Sequence, residues 1–260
     1  MQTDLIKILK LIDLTSLSYT DTSNSIKNLI NIGYTPYANV ASICIYSQFL
    51  ADAKQIIDAK NLNYSDINKV KLATVVNFPN GASDIDLTCI ETDLAISRGA
   101  NEIDLVFPYH SLIDGNYNIG AQMINKIKNI CQNHAILKVI IESGILPNSQ
   151  LITDASIISI QNGADFIKTS TGKTSVGATY EAVSLISKAI MQYNKNCGIK
   201  VSGGVSSTSI ALEYLEIIKN ICGTDYINKS LCRLGASSLL NNILIEINNQ
   251  DSQVIQTIQQ

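Results

Sequence analysis

Three lysines and three carboxylates fall at alternating positions of short apolar runs between residues 102 and 202. Successive side chains of a strand point to opposite faces. In the run beginning at Glu102, that alternation puts Ile103, Leu105 and Phe107 on one face and Glu102, Asp104 and Val106 on the other. Lys138, Ile140 and Glu142 oppose Leu137, Val139 and Ile141, while Phe166, Lys168 and Ser170 share a face. Lys200 and Ser202 oppose Ile199 and Val201. The apolar faces call for a packed outer layer, so the charged faces must point inward. Interior charges are costly unless paired or functional. Two readings follow: an internal ion-pair network that fills the interior, or an active site.

A lysine attacks a carbonyl only when neutral, and at an ordinary pKa of about 10.4 roughly one in 2500 is neutral at pH 7. Two ammonium groups about 5 Å apart repel by about 3 kcal/mol at an effective dielectric near 20. Burial disfavours the charged amine as well. Two lysines on neighbouring strands therefore form a device in which one attacks while the other stays cationic. Lys168 and Lys200 fit it, with Asp104 to balance charge and relay protons. Lys138 and Glu102 fall deeper and suit a structural role.

The elements that would position these groups repeat along the chain. Eight β-branched runs begin near Leu11, Asn39, Val70, Glu102, Ile136, Asp165, Gly198 and Ser230, 28 to 34 residues apart. Helical stripes lie between them: Ile26, Leu29 and Ile30; Leu87, Ile90 and Leu94; Ile210, Tyr214, Ile217 and Ile221. Thr20-Asp21-Thr22 and Ser206-Ser207-Thr208 suit helix N-caps. Gly99, Gly163 and Gly198 suit helix ends or strand entries that need a left-handed backbone. Eight strand–helix units predict an α/β fold, a (β/α)8 barrel with a parallel sheet, over residues 1–260 as one domain. A doubly wound open sheet is the alternative. The polar tail from about residue 250 is expected to fray.

Such barrels place their chemistry at the C-terminal mouth, with a phosphate site on the last two loops. The loop after the sixth run reads Ser170-Thr171-Gly172-Lys173, that after the seventh Gly203-Gly204-Val205-Ser206, and that after the eighth Gly235-Ala236-Ser237-Ser238. Glycines let backbone amides approach an anion, and a helix N-terminus adds its dipole. Each turn alone is ordinary; three at one end of a barrel form a candidate phosphate pocket.

The chain has 260 residues, 46% of them hydrophobic and 16% charged, with a net charge of -3. No basic stripe recurs, which argues against nucleic acid as a partner. Six cysteines without a CxxC pair read as reduced thiols, and two isolated histidines give no metal-ligand spacing, so no metal is expected. The N-terminus has no signal-peptide core and no run is long enough to span a bilayer, so a cytoplasmic location without membrane association is expected.

These stretches resemble the deoxyribose-phosphate aldolase family. The likeness is carried by Leu11-Ile12-Asp13-Leu14-Thr15, by Ser42-Ile43-Cys44-Ile45-Tyr46, and by Thr74-Val75-Val76-Asn77-Phe78-Pro79. It continues through Asn101-Glu102-Ile103-Asp104 and is most specific over Gly163 to Lys173. It extends to Gly203-Gly204-Val205 and Gly235-Ala236-Ser237-Ser238. The resemblance implies cleavage of 2-deoxy-D-ribose 5-phosphate to D-glyceraldehyde 3-phosphate and acetaldehyde, with no cofactor. It makes Lys168 the Schiff-base lysine, Lys200 its neighbour and Asp104 the relay. It makes Gly172, Lys173, Gly203, Gly204, Ser237 and Ser238 the phosphate pocket, and Ser206 and Gly235 of the same loops complete the expected substrate-binding set. A phosphosugar is the expected partner and a homodimer the expected assembly. Three departures stand out: Ser206 replaces the family's usual arginine, Lys200-Val201-Ser202 replaces a Lys-Pro-Ala pattern, and the tail Gln256-Thr257-Ile258-Gln259-Gln260 lacks a tyrosine. A Schiff-base aldolase for another phosphosugar, and a non-catalytic phosphosugar-binding barrel, remain the alternatives.

Overall fold

A computed structural model describes residues 2–258, and side-chain surroundings through residue 250. Helix α1 (Gln2–Leu11) leads directly into β1 (Ile12–Thr15). There follow α2 (Ser23–Ile32), β2 (Ser42–Ile45), α3 (Leu50–Asn61), β3 (Lys71–Val76), α4 (Ile85–Ser97) and β4 (Glu102–Val106). Two helices, α5 (Tyr109–Ile113) and α6 (Tyr117–Cys131), precede β5 (Ile136–Ile140). Then come α7 (Ser149–Gln161), β6 (Phe166–Lys168), α8 (Tyr180–Tyr193), β7 (Gly198–Ser202), α9 (Thr208–Cys222), β8 (Cys232–Ala236) and α10 (Leu239–Ile258).

All eight strands pair in parallel, and β1 pairs with both β2 and β8, so the sheet closes into a barrel. Closure excludes the doubly wound open sheet. The apolar strand faces pack outward: Ile103, Leu105, Leu137, Val139, Ile167, Ile199 and Val201 are fully buried beneath the helices. Helix starts follow local chemistry. Thr22 caps α2 by accepting from the Ser25 amide, with Ser25 reciprocating, and Ser207 caps α9 by accepting from Ile210.

One helical expectation changes. The Leu87, Ile90 and Leu94 stripe of α4 faces outward, at 52%, 65% and 43% exposure, whereas Thr88, Thr92 and Ala95 face the core. The inward threonines satisfy their hydroxyls within the helix: Thr88 donates to the Asp84 carbonyl and Thr92 to the Thr88 carbonyl, which makes them tolerable against the sheet. Helix α10 runs to Ile258, and upstream it is anchored by buried Ile243 and Ile247. Gln259 and Gln260 lie outside the described residues.

Gly99 and Gly163 have φ near +100°, as their places at helix ends require. Gly198 does not: it sits inside β7, where a Cβ would lie 2.4 Å from the Phe166 ring. It is a packing glycine that lets β6 and β7 run side by side.

Candidate active site

The strand registers bring the inward charges to one level. Lys168 pairs with Lys200 across β6 and β7, Lys200 with Arg233 across β7 and β8, and Asp104 with Lys138 across β4 and β5. Paired residues of parallel strands share a face, so all five side chains enter the barrel.

Asp104 lies at the centre. Its Oδ2 is 2.8 Å from the Nζ of both Lys168 and Lys200, and its Oδ1 is 2.8 Å from Lys138 Nζ. Lys200 also contacts Asp13 at 2.6 Å. Lys138 reaches Glu102 at 2.6 Å and Asp13 at 3.4 Å. Arg233 holds Asp13 at 2.6 Å and Glu102 at 3.0 Å, with its guanidinium 5.5 Å from the Phe166 ring centre. Every member is buried.

The network contains four cations, Lys138, Lys168, Lys200 and Arg233, against three carboxylates, Asp13, Glu102 and Asp104. Fully ionised, it carries one surplus positive charge in a medium that penalises it. The cation with fewest carboxylate contacts is Lys168, which touches Asp104 alone. Lys200 touches two carboxylates and Lys138 three. Burial, aided by the Lys200 ammonium, holds the Lys168 pKa below the ordinary lysine value despite the pull of Asp104. Lys200 and Lys138 go the other way: burial opposes their charge, but Asp104 leads the surrounding carboxylates in raising their pKa. The three carboxylates are held below their usual range, because the surrounding cations together outweigh the desolvation that would raise them. Removing one proton from Lys168 leaves three cations against three anions. The arrangement can therefore present one neutral amine beside a fixed cation.

Above this layer, the β6, β7, β8 and β1 loops enclose a cavity of about 550 Å³. Gly172, Lys173, Gly203, Gly204, Ser206, Gly235, Ser237 and Ser238 all line it, so the sequence-predicted pocket residues converge. Gly203 and Gly204 have φ near +90°, a backbone that side chains disfavour. A Cβ on Gly203 would also press on Gly177, and this close approach lets the β6 and β7 loops join, with Ala178 donating to the Gly203 carbonyl at 3.0 Å. The amides of Gly204, Ser237 and Ser238 donate to no other group among the described residues. Two of them stand at the start of α10, where helix N–H groups lack internal acceptors. Lys173 Nζ donates to the Leu17 carbonyl at 2.6 Å and lies 5.8 Å from the Tyr19 ring, tying the β6 loop to the β1 loop across the cavity.

Glu142 departs from its expected place. It follows the end of β5 with φ +49°, and that left-handed turn takes it out of the strand alternation. Its carboxylate instead accepts from the Thr171 amide at 3.2 Å and from the Thr171 hydroxyl, fixing the β6 loop. The third carboxylate of the interior is Asp13. Asp13 and Arg233 are the members that reading the charged runs left out. Both were visible by the same alternation, Asp13 between Ile12 and Leu14, and Arg233 between Cys232 and Leu234. The Ser170 hydroxyl, two residues beyond Lys168, is buried without a hydrogen-bond partner among the described residues.

A closed parallel barrel with a buried lysine pair beneath an amide-lined cavity defines a class of barrel aldolases. The sequence profile of that class, the DeoC/LacD family aldolases, matches residues 7–241, and the chain belongs to this family. It is an aldolase and hence a lyase. Solved structures agree on the fold. A proposed deoxyribose-phosphate aldolase from Toxoplasma gondii ME49 is similar at TM-score 0.84 and 21% identity, covering 95% of this chain and 94% of that one. A proposed deoxyribose-phosphate aldolase from Coccidioides immitis is similar at TM-score 0.76 and 27% identity, over 91% and 85% of the two chains. The deoxyribose phosphate aldolase of Aeropyrum pernix is similar at TM-score 0.74 and 22% identity, over 95% and 92%. No helix among the described residues is long and apolar enough to cross a membrane.

Proposed function

We propose that the enzyme cleaves 2-deoxy-D-ribose 5-phosphate reversibly to D-glyceraldehyde 3-phosphate and acetaldehyde through a Schiff base on Lys168. The observation that carries this reading is the charge count around Asp104: one cation too many, with Lys168 the least paired. The neutral Lys168 amine adds to the sugar aldehyde, and loss of water gives an iminium. The third-carbon hydroxyl then yields its proton to a base, the bond between the second and third carbons breaks, and its electrons pass into the iminium to leave an enamine. The triose phosphate departs with a new aldehyde at the former third carbon. Protonation of the enamine and addition of water release acetaldehyde and restore the amine. Lys200 and Asp104, 2.8 Å apart, form the acid–base pair nearest to Lys168 and are suited to move these protons.

The cavity lined by Gly172, Lys173, Gly203, Gly204, Ser206, Gly235, Ser237 and Ser238 holds the 5-phosphate on free amides and on Lys173. That remote contact positions the reacting carbons over Lys168. Six free cysteines suit a reducing cytoplasm, where such an aldolase serves deoxyribonucleoside catabolism.

The test is borohydride reduction in the presence of deoxyribose 5-phosphate. A covalent adduct mapping to Lys168, absent in Lys168→Ala, is expected together with triose phosphate release in a coupled assay. Turnover that survives Lys168→Ala rejects the Schiff-base reading. Adduct formation with faster turnover of another phosphosugar redirects only the substrate.

A further inference from the structure

Glu142 is a fully buried carboxylate that the lysine chemistry leaves unused. Asp13, Glu102 and Asp104 each hold at least two cations, whereas Glu142 forms no ion pair among the described residues. Its backbone adds a second cost, because a φ of +49° is disfavoured at a residue with a side chain. A buried charge is tolerated where hydrogen bonds satisfy it, and a strained backbone where its surroundings hold it. The β6 loop meets both conditions.

The carboxylate straddles the turn that carries Gly172 and Lys173. On one side it accepts from the Thr171 amide at 3.2 Å and from the Thr171 hydroxyl. On the other, the Thr174 hydroxyl stands 3.4 Å from the second carboxylate oxygen and 3.1 Å from the Val176 carbonyl. The hold is passed along the turn, since the Lys173 amide donates to the Thr171 hydroxyl oxygen at 3.0 Å. The Gly172 amide between them donates to no group among the described residues. The two loops meet again at Gly144, where a Cβ would collide with the Val176 carbonyl. Lys168 does not depend on this clamp. Its strand pairs with β5 and β7, and its carbonyl accepts from the Ile141 amide at 3.0 Å.

We propose that Glu142 is a positioning residue that sets the preference for a phosphorylated sugar, by holding the Thr171–Lys173 turn on the cavity wall where the Gly172 amide and Lys173 meet the phosphate. A turn already held loses less freedom on binding than one that must be ordered by its ligand. The proposal rests on the phosphate cavity assigned above, and the Schiff-base lysine lies outside it.

The test compares deoxyribose 5-phosphate with unphosphorylated 2-deoxyribose in the wild type, Glu142→Ala and Glu142→Gln. In Glu142→Ala, kcat/KM for the phosphorylated sugar should fall about tenfold while that for 2-deoxyribose stays within about twofold. Glu142→Gln keeps one acceptor for Thr171 and should lose only about threefold, again on the phosphorylated sugar alone, so it carries the test if Glu142→Ala fails to fold. Isothermal titration with inorganic phosphate should weaken about tenfold in Glu142→Ala. Thr171→Val should lower the preference as well, and the double substitution no further than the worse single one, because the pair acts as a unit. Equal losses with both sugars, an unchanged preference, a glutamine variant as impaired as the alanine one, or additive effects of the two substitutions overturn the proposal. A wild type that turns over neither sugar fails the substrate reading instead. The phosphate titration then decides the role of Glu142: binding that is absent, or equal in wild type and variant, overturns it.

Discussion

The two sides of the barrel interior are built from opposite materials. Strands β4 to β8, with β1, contribute four cations and three carboxylates. Strands β2 and β3 contribute Ser42, Cys44, Ala73 and Val75 to the same interior. Cys44, Ala73 and Val75 form a small apolar cluster with Leu17, separate from the main core beneath the helices. The contrast explains how a charged layer can lower one lysine pKa while raising two others. A carboxylate on the β2–β3 side would give Lys168 a second anion and hold its proton. Small neutral side chains supply desolvation without a counter-charge, and leave room beside the amine.

The contrast is broken most completely by Lys168→Ala, which should reduce turnover by at least about 10⁴-fold, as expected for loss of a covalent nucleophile. Single-turnover assays with and without borohydride measure it. Lys200→Met should come next. Removing the neighbouring ammonium raises the Lys168 pKa, and each unit of rise makes the neutral amine tenfold scarcer at pH 7. Turnover at pH 7 should fall by about 100-fold, and the ascending limb of the pH–rate profile should move to higher pH.

Charging the neutral wall sharpens the comparison. Cys44 faces Lys168 and Lys200 across the interior and interacts electrostatically with both. Cys44→Asp should hold the Lys168 proton, cut turnover at pH 7 about tenfold and again move the profile to higher pH. Cys44→Ser, which adds no charge, should leave the profile where it is.

Stability responds to pH with a predictable sign. Asp13, Glu102 and Asp104 have folded pKa values below their unfolded ones, so their stabilisation is full above roughly pH 4–5 and is lost as pH falls through the folded values. Denaturant melts should show a falling midpoint below about pH 4. Lys168 acts in the opposite range: its folded pKa lies below the unfolded one, so unfolding takes up a proton between the two and stability rises with pH there. Asp104→Asn, which takes one carboxylate from Lys138 and Lys200 and the only one from Lys168, should cost about 3–5 kcal/mol at neutral pH by the same melts.

Much of this arrangement is legible in the sequence because strand alternation is a rigid rule. Lys168 and Lys200 come out as neighbours on one face since spacing alone assigns both to successive strands, and the glycine-rich turns fall at one mouth for the same reason. The rule stops where the strand does. Glu142 lies past the end of β5, and its positive φ cannot be read from a glutamate in an apolar run. Asp13 and Arg233 obey the alternation, but they lie on the first and last strands, outside the stretch from 102 to 202, and only barrel closure brings them beside each other and the cluster. The α4 stripe fails for another reason: periodicity shows that a helix has two faces but not which one meets the sheet, and small threonines fit there where Leu87 and Ile90 would not.

The most direct measurement is the pH dependence of Lys168 adduct formation with acetaldehyde and borohydride, in the wild-type protein and in Lys200→Met. With an amine kept neutral by burial and its cationic neighbour, the wild-type midpoint should lie clearly below the ordinary lysine value of about 10.4, and the substitution should move it upward. A wild-type midpoint at the ordinary value, or one indifferent to Lys200, would contradict it.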